Sequence, residues 1–331
     1  TITTEDEDLK KSVDFMKYLL SNGFDNADAA KEALSGSLDQ INDRVNYNLG
    51  KDFKGRKTGD DPDDFSQVTY GDNNVKHSEK GESHGTHVAG IIAAERNNGL
   101  GANGVANNVE IMAIRAVPNG DEYDKDVALA IRYAVDNGAK IINGSFGKYY
   151  SPHSDWVRDA IAYAGKKDVL FVHGSGNESL DLDTKNNYPN DQYDNDKEVS
   201  SSFINVGALE PKYGSGMVAD FSNYGKINVD VMAPGGEIYS TTPENEYDTK
   251  GGTSMASPAV AGVAALIRSY YPKLTAAQVK QILMDSGLAV TPKVIVGGNP
   301  DDVKPFGALT KSSRMDNAYN ALILASKISN K

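Results

Sequence analysis

What most constrains the fold is an alternation that begins near residue 84 and persists to the end of the chain. Short apolar, β-branched runs take turns with segments whose apolar residues recur at helical spacing. Val109–Val117 (VEIMAIRAV) reads as a strand, Asp126–Asn137 (DVALAIRYAVDN) as a helix stopped by Gly138, and Lys140–Phe146 (KIINGSF) as a strand again. A helix over Asp155–Ala164 comes next. Strands at Val169–His173, Phe203–Leu209 and Asn228–Met232 follow, then helical segments near 254–271, 275–286 and 315–328. Near-continuous apolar strands, several followed by helices, imply an α/β fold whose mostly parallel sheet is covered on both faces.

The first sixty-odd residues have a different texture. Leu9, Val13, Met16 and Leu20 lie at helical spacing, and Gly23 ends that helix. Asp25 or Asn26 caps a second short helix through Leu34, and a third runs from about Ser37 to Val45. Residues 10–50 thus read as a helical excursion from a domain, without a core of their own, and 51–82 as loop. There is no internal repeat. The acidic segment 181–200 reads as a solvated loop in preference to a cation site.

Composition excludes several chemistries. The 331 residues suffice for one large domain with a buried core. There is no cysteine, hence no disulfide framework, thiol nucleophile or thiolate zinc site. With 34 basic and 46 acidic residues the formal charge is −12, which argues against nucleic-acid phosphate as a partner. No run of about 18 apolar residues is available to span a membrane. The chain opens on Thr1, so the start of the gene product is expected upstream.

Four segments carry possible chemistry, and each also has a plain structural reading. In Gly81-Glu-Ser-His84-Gly-Thr-His87-Val-Ala-Gly90, small neighbours let another chain approach His84, although a lone histidine is more often a cap or core residue. A zinc pair of His84 and His87 has i, i+3 spacing and no intervening Glu, unlike zinc hydrolases. In Gly251-Gly252-Thr253-Ser254-Met255-Ala256-Ser257-Pro258, two glycines turn into a helix that is apolar on all sides. Pro258 is expected in the first turn, which places Ser254 at or beside the helix N-terminus, where N–H groups favour developing negative charge. Alone, this segment reads better as a simple Ser/Thr cap before a core helix. Gly174-Ser175-Gly176-Asn177 follows a strand, where turn chemistry is the usual explanation and an amide donor to an oxyanion the alternative. Asn143-Gly144-Ser145-Phe146-Gly147 also ends a strand, where a simple turn is the better reading of the segment alone and pairing of its backbone with an extended peptide the alternative.

Together and in this order, HGTH, GSGN and GTSMASP resemble the subtilisin-like serine peptidases, the subtilase family, from about residue 81 to 286. The C-terminal FGALTKSSRMDNAYNALILA resembles endings of some bacterial members. The resemblance implies a subtilisin-like three-layer α/β sandwich and a serine endopeptidase acting on polypeptides through an acyl-enzyme. Ser254 is then the nucleophile and His84 the general base, while Asn177 and the Ser254 N–H form the oxyanion hole. Ser145, Phe146 and Gly147 would pair with substrate backbone. With Gly174, Ser175 and Gly176 they would flank the pocket for the residue before the scissile bond. Where this chain has Gly174-Ser175-Gly176, the family usually has Ala-Ala-Gly. His87 is implied to be structural. The chemistry needs no cofactor, but Asn97–Asn107 resembles the family's calcium loop. Secretion or a cell-envelope location is implied by bacterial relatives.

The family's catalytic Asp, followed by Ser/Thr-Gly, is not found. Thr1–Lys10 resembles the stretch just downstream of it, so residues 1–331 read as a single peptidase domain lacking its first strand. Losing that Asp costs about 10⁴-fold in kcat in a relative. Three explanations remain open: a fragment of a longer product, a nicked enzyme whose separate segment carries the Asp, or substitution by another Asp. Asp6, Asp8, Asp39, Asp43 and Asp52 lie upstream of His84, and none has the family's flanking residues. The competing functions are a catalytically dead, peptide-binding subtilase-like protein and, remotely, a metal hydrolase using His84 and His87.

Overall fold

The computed structural model describes residues 7–21, 45, 55–77, 82–195 and 197–329. It divides into two compact units, Thr1–Gly59 with Pro118–Asp121, and Asp60–Val117 with Glu122–Lys331. In the smaller unit, α1 spans Glu7–Ser21, with Val13 and Met16 half-buried and Leu20 exposed. The second and third expected helices lie outside the described residues, Val45 excepted.

The larger unit contains α2 (His84–Ala93), α3 (Asp124–Asp136), α4 (Ser154–Lys166), α5 (Thr253–Tyr270), α6 (Ala276–Ser286) and α7 (Ala318–Ser329). Its strands are β1 (Ile141–Gly144), β2 (Leu170–Gly174), β3 (Phe203–Leu209), β4 (Val231–Pro234), β5 (Ile238–Thr242), β6 (Glu246–Lys250), β7 (Leu288–Ala289), β8 (Lys293–Val296), β9 (Asn299–Pro305) and β10 (Arg314–Met315). The main sheet runs β1-β2-β3-β4-β10-β7, parallel except for the last pair, while β5–β6 and β8–β9 are separate hairpins. Ile141 pairs with Leu170 and Phe171 with Phe203, which aligns the C-terminal ends of β1, β2 and β3.

Both faces of the sheet are covered, as the apolar strands require. On one face Val260, Ala264 and Ile267 of α5 meet Leu170, Val172, Ile204 and Val206, with Val279 and Leu283 of α6 behind. On the other, Val127 and Ile131 of α3 and Val157 and Ile161 of α4 pack on Phe171 and Phe203. The architecture is therefore the expected three-layer α/β sandwich with a mostly parallel sheet.

Two strand expectations need correction. Residues 109–117 form no strand and enter no ladder among the described residues, and Ile111 and Met112 are 46% and 42% exposed. β-propensity favours a strand, but a strand also needs a partner with matching donors and acceptors. Correspondingly, among the described residues β1 lies at the end of the sheet and pairs with β2 alone. The strand expected at 228–232 instead starts at Val231, because the Ile227 and Asn228 N–H groups donate to the Asp183 carboxylate and hold that stretch as loop. The hairpin β5–β6 carries no alternating apolar signal, because β6, EYDTK, is mostly polar.

A buried charge cluster ties α6 to the loop before β3 and to the start of β4. Lys280 lies 3.0 Å from Glu198 and 3.5 Å from Asp230, and Lys311 pairs with the same Glu198. Asp191 faces this cluster with a buried oxygen that has no hydrogen-bond partner. Burial, reinforced by Glu198 and Asp230 and opposed by Lys280 and Lys311, pushes its carboxyl up to about 8. Folding therefore retains a proton that the unfolded chain releases at about pH 4. The Asp191 contribution to stability must then fall as pH rises from about 4 to 8. Urea unfolding across that range should show the stability of Asp191→Asn gaining on that of the parent chain as pH rises.

Candidate active site

The first turn of α5, the start of α2 and the C-terminal ends of β1 and β2 supply the candidate residues. Gly252, at φ 156°, turns the chain into α5, and Ser254 is the second helical residue, half-buried. Its N–H lies in the first turn, where N–H groups lack intrahelical acceptors and the helix dipole favours negative charge. Pro258 is not in the first turn as expected but is the sixth helical residue. The helix tolerates it there because a side chain takes over the hydrogen bond it removes. Ser145 Oγ donates to the Ser254 carbonyl at 2.8 Å.

Asn177 follows β2 and its Oδ1 accepts from Thr253 N at 2.9 Å and Thr253 Oγ1 at 3.0 Å. Gly176 N in turn donates to Thr253 Oγ1 at 3.0 Å. These bonds turn the Asn177 amide so that its Nδ2 faces Gly252, 3.6 Å from where a Cβ there would lie. Among the described residues Nδ2 has no acceptor. An oriented, uncommitted donor beside a first-turn N–H is what an oxyanion needs. Close approach makes this possible, since a Cβ on Gly174 would lie 2.9 Å from the Thr253 carbonyl.

His84 opens α2, which packs on α5 through Val88, Ile91 and Met255. Its ring is exposed on one side, but neither nitrogen has a hydrogen-bond partner among the described residues. Protein crowded around the other side, then the nearby His87 and Lys250, pushes its pKa down to about 4. The Ser254 hydroxyl instead donates to the Ser145 carbonyl at 3.3 Å. His87 is fully buried, with its Nε2 3.1 Å from the Asp248 carbonyl, so it binds α2 to the β5–β6 hairpin. Gly90 allows that hairpin to come close, for a Cβ there would meet Thr241 Oγ1 at 2.2 Å.

The segment Ser145–Phe146–Gly147 extends from β1. Its Gly147 N–H donates to the Glu122 carboxylate at 2.9 Å, and its Ser145 carbonyl receives Ser254. Sequence reasoning missed the groups that hold it. The buried His173 Nε2 donates to the Phe146 carbonyl at 2.8 Å, and Asn143 Nδ2 donates to Ser145 Oγ at 2.9 Å. The signal for His173 was a polar residue ending an apolar strand. Opposite, Asn187 lies between Gly147 and Gly176, with Nδ2 donating to the Ser175 carbonyl at 2.7 Å.

No metal cluster exists among the described residues. In the Asn97–Asn107 loop, the amide oxygens of Asn98 and Asn103 already accept backbone N–H groups, and the Arg96 guanidinium bonds to the Gly104 carbonyl. These three oxygens are thus engaged by the loop itself and by Arg96 beside it, and the loop has no carboxylate of its own. Among the upstream aspartates, Asp6, Asp39, Asp43 and Asp52 lie outside the described residues, and Asp8 belongs to α1.

A model of the subtilase family matches residues 5–315. The chain belongs to the subtilase family. It is 44% identical over 188 residues to a thermophilic serine proteinase of Bacillus sp. (strain AK1), covering 56% of this chain and 43% of that protein. Subtilisin DY of Bacillus licheniformis is 40% identical over 205 residues, covering 61% and 69%. The cell wall-associated protease of Bacillus subtilis (strain 168) is 33% identical over 276 residues, covering 83% of this chain but 27% of that protein. Among solved structures, the S41 psychrophilic protease superposes with a TM-score of 0.60 at 30% identity, over 74% of this chain and 80% of the other. The matched region thus spans less than half of the thermophilic and cell wall-associated proteases.

In this subtilase chain the depressed His84 basicity has a direct readout. With its pKa pushed down to about 4, the imidazole is mostly neutral, and able to accept a proton, near neutral pH. Its proton NMR titration in this chain should show a midpoint near 4, well below the ordinary 6.5.

Proposed function

We propose that this chain carries the machinery of a serine endopeptidase. The observation that supports it best is the Asn177 amide, turned by Thr253 so that its donor stays free beside the Ser254 N–H. In this reading Ser254 Oγ attacks the peptide carbonyl carbon while its proton passes to His84. The carbonyl oxygen takes up the displaced electron pair and is held by Asn177 Nδ2 and the Ser254 N–H. Collapse breaks the C–N bond, and His84 returns the proton to the leaving amine. Water then repeats the sequence on the acyl-enzyme. Ser145, Phe146 and Gly147 pair with the substrate backbone, and Gly174, Ser175 and Gly176 form the opposite wall of the pocket. Glu122 must yield the Gly147 N–H for that pairing to form. No cofactor enters these steps.

A carboxylate to orient His84 belongs to the same proposal. Among the described residues β1 has no partner on its outer edge and 109–117 enter no ladder, which favours an added strand as its carrier, from an upstream segment of the same product or from a separate one. Location outside the cell or in its envelope agrees with the name of the cell wall-associated relative. The rival reading, a dead peptide-binding protein, draws on Ser254 Oγ resting on Ser145 and not on His84.

A fluorophosphonate probe separates the two. Full-length protein should label at Ser254, and Ser254→Ala should abolish it, whereas absence of labelling in folded full-length protein sinks the enzyme. Asn177→Ala should slow peptide hydrolysis by about 10²–10³-fold, the cost of losing such a donor in another subtilase. The chain of 331 residues alone should turn over peptides several orders of magnitude more slowly than the full-length protein.

A further inference from the structure

Pro258 stands four residues after Ser254 in α5, at the position whose N–H would donate to the Ser254 carbonyl. A proline there supplies no donor, and its ring crowds that carbonyl. The carbonyl is satisfied from outside the helix by Ser145 Oγ at 2.8 Å. The Ser145 hydroxyl is itself aimed, because Asn143 Nδ2 donates to its oxygen at 2.9 Å and leaves its proton for Ser254. Asn143 is aimed in turn by the fully buried Ser257 of α5, whose Oγ donates to Asn143 Oδ1 at 2.7 Å. The chain of bonds leaves α5 at Ser257, crosses to the end of β1 and returns to α5 at Ser254. It runs in one direction and every hydroxyl proton in it is assigned.

We propose that the Ser145 side chain is the positioning residue for Ser254, replacing the helix hydrogen bond that Pro258 removes and so fixing the nucleophile's turn against the end of β1. The proposal rests on the endopeptidase reading and extends it. The backbone of Ser145 meets substrate, whereas its side chain acts only through Ser254. Without it, the side-chain hydrogen bonds that still join the start of α5 to β1 and the residue after it, among the described residues, are the 3.3 Å bond from the Ser254 hydroxyl and the bond from Ser257. That hydroxyl must leave the Ser145 carbonyl to react. A shift of about 1 Å in a reacting group is enough to lose roughly 10²-fold in rate.

The test measures second-order fluorophosphonate labelling and the thermal midpoint of full-length variants. Ser145→Ala should slow labelling by about ten- to a hundredfold. Ser145→Thr, which keeps the hydroxyl, should remain within a few-fold of the parent. The double variant Ser145→Ala/Pro258→Ala regains a main-chain donor at 258 and should recover most of the lost rate. Should Ser145→Ala alone fail to fold, the double variant must recover folding as well as labelling. Pro258→Ala in the parent background should not accelerate labelling. Parent-like labelling of Ser145→Ala overturns the proposal, as does a double variant no faster than Ser145→Ala. Labelling that survives in Ser254→Ala would overturn the endopeptidase reading instead, a result distinguishable from both.

Discussion

Helix α5 is apolar around its whole circumference, so it is stable only where protein surrounds it on every side. Each of Val260 and Ile267 contributes about 1.5–3 kcal/mol by leaving water. That burial presses the helix between the sheet and α6, α7 and α2. A buried helix must also begin somewhere, and its first turn cannot be left with unpaired polar groups. The sandwich places that first turn at the C-terminal ends of β1 and β2. Side chains and backbone from those strand ends, Ser145, Gly176 and Asn177, then bond to Thr253 and Ser254. The candidate chemistry is a consequence of how the helix start is satisfied.

Among the described residues the Ser254 N–H and Asn177 Nδ2 are left without an acceptor. They stay available because Thr253 occupies the Asn177 oxygen through both its N–H and its hydroxyl, which dictates which end of the amide faces the site. Such donors are effective when fixed in advance, since nothing has to reorganise as charge develops. The glycines at 174 and 252 serve the same end, the first by close approach to Thr253 and the second by the turn into α5. On the opposite side of the site, α2 brings His84 to the surface while the buried His87 holds the helix to β5–β6.

Much of this was legible in the residues. The apolar runs marked the parallel sheet, β3 to the residue, and the strings around His84, Asn177 and Ser254 marked the family. What escaped depended on partners distant in sequence. VEIMAIRAV has every local property of a strand, but a ladder needs a neighbour, and none is found for it among the described residues. Residues 228–230 looked like strand until Asp183, 45 residues earlier, is seen to take the Asn228 N–H. Pro258 looked like a first-turn residue because proline deeper in a helix loses a hydrogen bond. Only the fold reveals that Ser145, 109 positions before Ser254, restores it. Asn143 read as turn chemistry for the same reason, with Ser257 114 positions off.

The central claim is that the end of β2 and the start of α5 together form a preset anion site in front of Ser254. A crystal structure of the full-length protein after reaction with a peptidyl phosphonate measures this directly. The account predicts phosphorus bonded to Ser254 Oγ, with the phosphonyl oxygen about 2.7–3.1 Å from both Asn177 Nδ2 and Ser254 N, and Thr253 still bonded to Asn177 Oδ1. An adduct whose oxygen points to solvent, or an Asn177 amide that has turned away from Thr253, would contradict it.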